Sequence, residues 1–335
     1  MLMIAGLLGL MAGAAAFVAL DVGGDDSETE ADERLSQEVA ETASQNITAG
    51  FPDDAPETPD ISSKILTGTS GHDILSGGAE ADIIDGGAGN DQINGYDGDD
   101  SITGGDGRDD LHGAEGDDVL SSGDGDDVIH GEDGDDTQQG DGGDDTLFGH
   151  SGDDILYGNE GADSLVGGQG QDALRGGGGA DALHGGLDDD HMNGGTGEDT
   201  LFGGDGQDTI LGIGDDETDF LNGGDGDDIL VGGRGDILTG GTGADMFLLG
   251  ADETADETLR VMDFDPDRDN LVLLYDDATG DPTITIEPDP NSQNSILVLV
   301  NGTELAVVHG AVGLEATDIA LLPQGNAAAS EMLRV

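Results

Sequence analysis

Aspartates recur every nine residues through the middle of this chain: Asp73, Asp82, Asp91, Asp100, Asp109, Asp118, Asp127, Asp136, Asp145, Asp154, Asp163, Asp172, Asp181, Asp190, Asp199 and Asp208. An insertion of two residues around "GDDET" precedes Asp219 and Asp228, and a deletion of one in "GGRGDILT" precedes Asp236 and Asp245. Carboxylates in such numbers cannot be neutralised from within, because the chain has 76 acidic residues against 8 basic ones and a net charge of −68. Brought together in a fold they repel one another strongly. A hard divalent cation shared between neighbouring carboxylates removes that conflict. Oxygen-only ligation with six or more ligands and some flexibility favours Ca²⁺ over Mg²⁺, which holds a stricter octahedron and keeps its water. The candidate calcium ligands are the series above from Asp73 to Asp208, with Asp228 and Asp245. Asp219, beside the insertion, and Asp236, in the shortened unit, keep the phase but stand outside this set.

The residues between the aspartates say what positions them. Two places after each Asp stands an apolar residue, as in Leu75, Ile84, Ile93 and Ile102, and Gln138 alone breaks the rule. Gly opens nearly every unit, and another Gly usually stands two before the Asp, with Glu80 and Asp188 replacing it in two units. Gly supplies the positive φ of a tight turn and lets backbones approach. A unit therefore reads as a six-residue turn followed by a three-residue extended piece that points one apolar side chain inward. Two units make a flattened coil of 18 residues, and coils stack as parallel strands about 4.8 Å apart. Stacking sets Asp91 over Asp109 and Asp109 over Asp127, giving one carboxylate column down each edge. A disordered acidic tract would not keep its apolar residues in phase over twenty units.

"GGAGNDQIN", "GGTGEDTLF", "GGDGQDTIL" and "GGDGDDILV" resemble the nonapeptide GGxGxDxUx of RTX, or hemolysin-type, calcium-binding proteins. The resemblance spans residues 68–248. It implies an all-β fold, a right-handed parallel β-roll with calcium between its turns. It also implies export through a type I (ABC) machinery that reads an uncleaved C-terminal signal. The family's metal-ligating Asp falls on the aligned aspartates above.

The flanks read differently. Residues 1–20 form an apolar N-terminal segment whose stretch "LMIAGLLGLMAGAAAFVAL" is uncharged. As a helix it would span about 30 Å, so it reads as a membrane anchor or a signal-like segment. The first basic residue is Arg34, so no positive n-region precedes it. Residues 21–67 are an acidic linker expected to be disordered. In residues 249–335, "LRVMDF", "NLVLLY", "TITIE" and "ILVLVNGTELAVVHG" read as strands, with a hairpin at Asn301-Gly302. They are expected to form a small β domain capping the roll. The segment "VMDFDPDRDNLVLL" resembles the one that commonly follows RTX repeats, and the terminal "EMLRV" resembles the end of type I substrates.

Other chemistries find little support. With no Cys there are no disulfides or thiolate sites. No HExxH, GxxxxGK[ST] or GxSxG occurs, so no catalytic residue is assigned and the chain reads as non-enzymatic. Six of the seven His fall in the repeats, where the plain reading is exposed strand ends. The "DPDRDNLVLLYD" segment echoes an EF-hand loop, but Asn270 and Asp276 stand where Gly and Glu are needed. Strong acidity opposes nucleic acid and anionic lipid. The chain is thus expected to be an extracellular calcium-binding protein. The alternative is a surface adhesin or matrix protein tethered by residues 2–20, with the roll as a stiffened stalk and a partner on the cell surface or in the matrix.

Overall fold

A computed structural model describes residues 62–250, 258–276 and 280–325. The apolar run at 2–20, the acidic stretch up to residue 61 and the terminal "EMLRV" lie outside the described residues. Among the described residues all regular structure is β: 27 strands form two sheets of 13 and 14 strands, with no helix. Through the repeats, strands alternate between the two sheets, odd-numbered ones in the first and even-numbered ones in the second, and the three-strand antiparallel meander near the C-terminus belongs to the second. Each strand pairs in parallel with the strand one full coil away, so the chain winds as a β-solenoid of about ten turns through the repeats. Ile84 faces Ile102, which faces Leu120. In the other sheet Ile93 faces Leu111, which faces Ile129.

The strands are longer than the sequence reading allowed. β4 (Gln92–Asp97) and β5 (Ser101–Asp106) each have six residues. The two opening positions of the unit, with the residue after them, belong to the strand, and the turn shrinks to about three residues. The ladder explains this, since Tyr96 pairs with Ala114 and Asp97 with Glu115. Side chains alternate on a strand, so both Ile93 and Gly95 point inward and are buried. The apolar residue fills the interior, and the glycine leaves room for it.

The main core is a continuous row of Leu, Ile and Met that runs from Ile84 through Leu111, Leu156 and Met192 to Phe247, and Leu211, Val231, Leu248, Val272 and Leu274 form a second buried cluster. Gln138 lies in this row and is 0 % exposed. Its Nε2 donates to the Phe148 carbonyl at 2.7 Å, while its Oε1 has no partner. The insertion and the deletion are absorbed outside the ladder. β17 (Thr209–Gly212) and β19 (Ile229–Gly232) shorten to four residues, and the register continues beyond them as Ile210 to Leu230 to Phe247.

The expected C-terminal strands are present, but they do not stand apart from the roll. β21 (Met246–Gly250) pairs in parallel with β23 (Asn270–Tyr275), and β20 (Ile237–Thr242) with β22 (Leu259–Val261). β27 (Ala320–Pro323) and β26 (Thr303–His309) extend the two sheets by one more strand each. Among the described residues only two pairings are antiparallel, β24 (Ile284–Pro288) with β25 (Ser295–Val300) and β25 with β26. Asn301 and Gly302, with φ of 54° and 85°, make the predicted hairpin between β25 and β26. Ile296, Val298 and Leu305 join the same apolar core as the repeats. β23 runs through the second half of the segment that echoed an EF-hand, so its acids do not form such a loop.

Gln138 carries a cost that an apolar residue of similar size would avoid. Gln138→Leu should raise stability in calcium by about 1 kcal/mol, read as a higher denaturation midpoint. An unchanged or lower midpoint would show that the Nε2 bond outweighs the unpartnered oxygen.

Candidate metal centre

At the end of most strands in the repeats a glycine with positive φ turns the chain, for example Gly98 at 117° and Gly107 at 130°. The Asp two places on swings back beneath the turn and is buried. Asp109, Asp127 and Asp163 are 1 to 2 % exposed. One oxygen of each is used within the protein. The Asp91 N–H donates to Asp109 Oδ1 at 2.7 Å, and the Asp109 N–H to Asp127 Oδ1 at 2.7 Å. The bonds repeat as a column down each edge. One runs from Asp73 through Asp145 to Asp199, Asp219 and Asp236. The other runs from Asp82 through Asp154 to Asp228 and Asp245. All eighteen aspartates singled out in the sequence thus lie in two columns.

The other oxygen has no such use. In sixteen of these aspartates, from Asp82 to Asp228, Oδ2 is buried and has no hydrogen-bond partner. It sits against the glycine that opens the unit: a Cβ on Gly104 would lie 2.4 Å from Asp109 Oδ2 and 2.7 Å from the Ser122 carbonyl oxygen. At Gly149 the same point is 2.3 Å from Asp154 Oδ2 and 2.7 Å from the Gly167 carbonyl oxygen. Glycine permits the close approach at these two points, and the space it leaves is lined by oxygen; one unit opens instead on the buried Ser122. A buried carboxylate oxygen without a donor is costly. The donor set contains no nitrogen or sulfur, so it fits a hard cation that takes several oxygens, which describes Ca²⁺.

The electrostatics agree. Burial, reinforced by repulsion from neighbouring aspartates and opposed by the backbone bond, pushes Asp136 and Asp190 up to about 8. The same causes push Asp118, Asp145, Asp172 and Asp181 up to about 7. Asp109, flanked by Asp91 and Asp127, rises to about 6. The columns favour protons, or a cation in place of them.

Sequence reasoning left out several members. Asp219 and Asp236 stay in register despite the insertion and deletion, because the length changes fall in the connecting turns. Both are 1 % exposed, and burial pushes Asp219 up to about 8. Asp236 differs in one respect: its Oδ2 accepts from the Gly233 N–H at 2.6 Å. Asp269 adds a rung beyond the repeats by accepting from the Asp245 N–H at 3.1 Å. A further ladder runs outside the main one, from residues just before the column Asp. The Asp117 N–H donates to Asp99 Oδ1, the Asp135 N–H to Asp117 Oδ1 and the Asp153 N–H to Asp135 Oδ1. Its signal was visible as the doubled Asp in "GDGDD". At the first rung, Thr69 N–H and Oγ1 satisfy Asp73 Oδ2 at 2.6 and 2.8 Å, unlike the orphaned oxygens above.

Residues 67–102, 103–138, 139–174, 175–210 and 213–236 match a family described as RTX calcium-binding nonapeptide repeat (4 copies). Together these matches cover just over half of the chain. No curated protein matches it.

The raised carboxylates give the metal-free roll a defined pH response. From the ordinary Asp value of 3.8 up to about 8, the folded columns hold more protons than the unfolded chain. Stability therefore falls as pH rises through this window. In excess chelator, the circular dichroism sheet signal should diminish between pH 5 and pH 8. A signal that is flat or grows with pH would contradict the buried, metal-free carboxylates.

Proposed function

This chain belongs to the family of RTX calcium-binding nonapeptide repeat proteins, and from that premise we propose that its roll forms as Ca²⁺ enters the two aspartate columns. Repeats of this family bind Ca²⁺, and several repeats imply several ions. The observation that carries the reading is the set of sixteen buried, unpartnered Oδ2 atoms, stacked one per coil in each of the two columns. Without a cation each is a desolvated negative charge near its like, and the unfolded chain, with its carboxylates in water, is preferred. With Ca²⁺ present the same oxygens become ligands, so binding free energy is folding free energy. The ligands would be the eighteen aspartates from Asp73 to Asp245, now joined by Asp219 and Asp236.

The reading extends to where the protein works. Folding would be held off in the cytosol, where free calcium is scarce, and completed outside the cell, where it is plentiful. That fits a chain exported unfolded through a type I machinery by a signal within residues 249–335. The β24–β26 meander closes one end of the even-strand sheet, and there it would act as a cap and template. The role is non-catalytic. A second reading keeps the protein at the cell envelope through the uncharged run at residues 2–20, with the roll as a calcium-stiffened stalk.

Two measurements test these statements. Titrating calcium into chelated protein should produce sheet signal at about 10⁻⁴–10⁻³ M, the range of extracellular calcium modules. Asp109→Asn should move that midpoint to higher calcium, while Asp106→Asn, an exposed site in the same unit, should not. Full sheet signal in chelator at pH 8, or equal shifts for the two variants, would overturn the folding model. Deleting residues 251–335 should abolish export; undiminished secretion would assign export to another part of the chain.

A further inference from the structure

Four residues on the outer surface of the even-strand sheet are unlike the rest of the repeats. β6 (Asp110–Glu115), β8 (Val128–Asp133) and β10 (Thr146–Ser151) are consecutive neighbours there. In-register pairing sets His112 against His130 and His130 against Phe148. The rings stack, with centroids 4.7 Å apart for His112 and His130 and 4.8 Å for His130 and Phe148. Stacking alone would explain an aromatic column, but it does not explain the groups that meet the ring nitrogens.

His112 Nε2 lies 3.1 Å from Asp110 Oδ1, and its Nδ1 lies 2.9 Å from Glu132 Oε1. His130 Nδ1 lies 3.0 Å from His150 Nε2. Ligating atoms of Asp110, His112 and His130 all fall within 4.8 Å of one another. Ligands on a tetrahedral zinc ion, with bonds of about 2.0–2.2 Å, stand about 3.3 Å apart, so a modest rotation of rings closes the set. Glu132 and His150 engage the Nδ1 atoms, which leaves an Nε2 on each ring for a metal. Metal-binding histidines are commonly oriented in this way by a partner on the far nitrogen. Glu132 and His150 hold φ of 83° and 80°, a left-handed conformation, at the position where most repeats place Gly. Tyr96, Ala114, Asp141 and Asn159 share this conformation at the same place in their units, and in these two it brings the side chains to His112 and His130.

We propose that Asp110, His112 and His130 form a site for a borderline divalent transition-metal ion of the zinc class, separate from the calcium columns. Two imidazoles and one carboxylate suit such an ion, whereas Ca²⁺ prefers oxygen alone. Glu132 and His150 are positioning residues, and water would complete the coordination.

The test uses the full chain folded in saturating Ca²⁺ and titrated with ZnCl₂ in a calorimeter. One equivalent should bind at least tenfold more tightly than any further zinc, and raising Ca²⁺ tenfold should not displace it. His112→Ala and His130→Gln should each weaken this step at least tenfold while the calcium-induced sheet signal stays unchanged. His184→Ala, whose ring stacks on Phe202 in the same sheet, should have no effect. Should a variant misfold, Co²⁺ bound to the unaltered protein supplies a second readout: visible absorption bands of a low-coordinate nitrogen–oxygen site are expected. No tight zinc step, zinc displaced by calcium, equal affinity in the histidine variants, or Co²⁺ spectra of a hexaaqua-like ion would each overturn the assignment.

Discussion

A buried aspartate that hands one oxygen to its neighbour's backbone and leaves the other bare governs this molecule. The Oδ1 bond, near 2.7–3.1 Å from rung to rung, ties each coil to the next and sets their register. The bare Oδ2 makes the same arrangement repulsive. These two atoms of one side chain pull in opposite directions: the first specifies the fold, and the second keeps it from being stable unless a cation or proton arrives. The pKa values of about 6 to 8 along the columns express that tension in terms of protons.

The glycines serve this constraint more than they serve flexibility. The Gly that opens a unit stands where a Cβ would overlap the carboxylate of its own repeat, and the Gly two before the Asp turns the chain back through positive φ. Between them, through most of the repeats, lies an interior that holds one apolar side chain per strand. That explains how a chain with 3 % aromatic residues and 63 glycines can still have a dry core. Through most of the repeats it is a row one residue wide, and a single polar intruder such as Gln138 is fully enclosed by it.

A solenoid held by nearest-neighbour contacts tolerates local change if the register survives. The insertion before Asp219 and the deletion before Asp236 show how. The connecting turns lengthen or shorten, β17 and β19 lose two residues each, and the aspartate ladder steps by 20 and then by 17 residues without a missing rung. The outer surface is freer still, because side chains there do not enter the core or the columns. Repeats can vary at those positions, and His112, His130 and His150 occupy them.

The period of nine, read with the apolar residue two places after each Asp, determined the parallel stacking, the pairing at 18 residues and the two columns of carboxylates. These follow from local rules: strand alternation, glycine turns and like-charge repulsion. Where the strand ends was not legible, because glycine is a poor strand former and "GG" reads as a turn. Only the ladder, a contact between coils, makes Gly95 and Tyr96 part of β4. The standing of Asp219 and Asp236 likewise needed three dimensions, since a shift in spacing says nothing about which loop takes up the slack. The C-terminal strands could be recognised by their alternation, but their parallel continuation of both sheets depends on the open strand edges that β20 and β21 present. The convergence of Asp110, His112 and Glu132 was hidden for the same reason. Residues 20 apart meet because Glu132 stands two places beyond His130, the in-register partner of His112, and holds a positive φ; no reading of spacing along a single strand contains that contact.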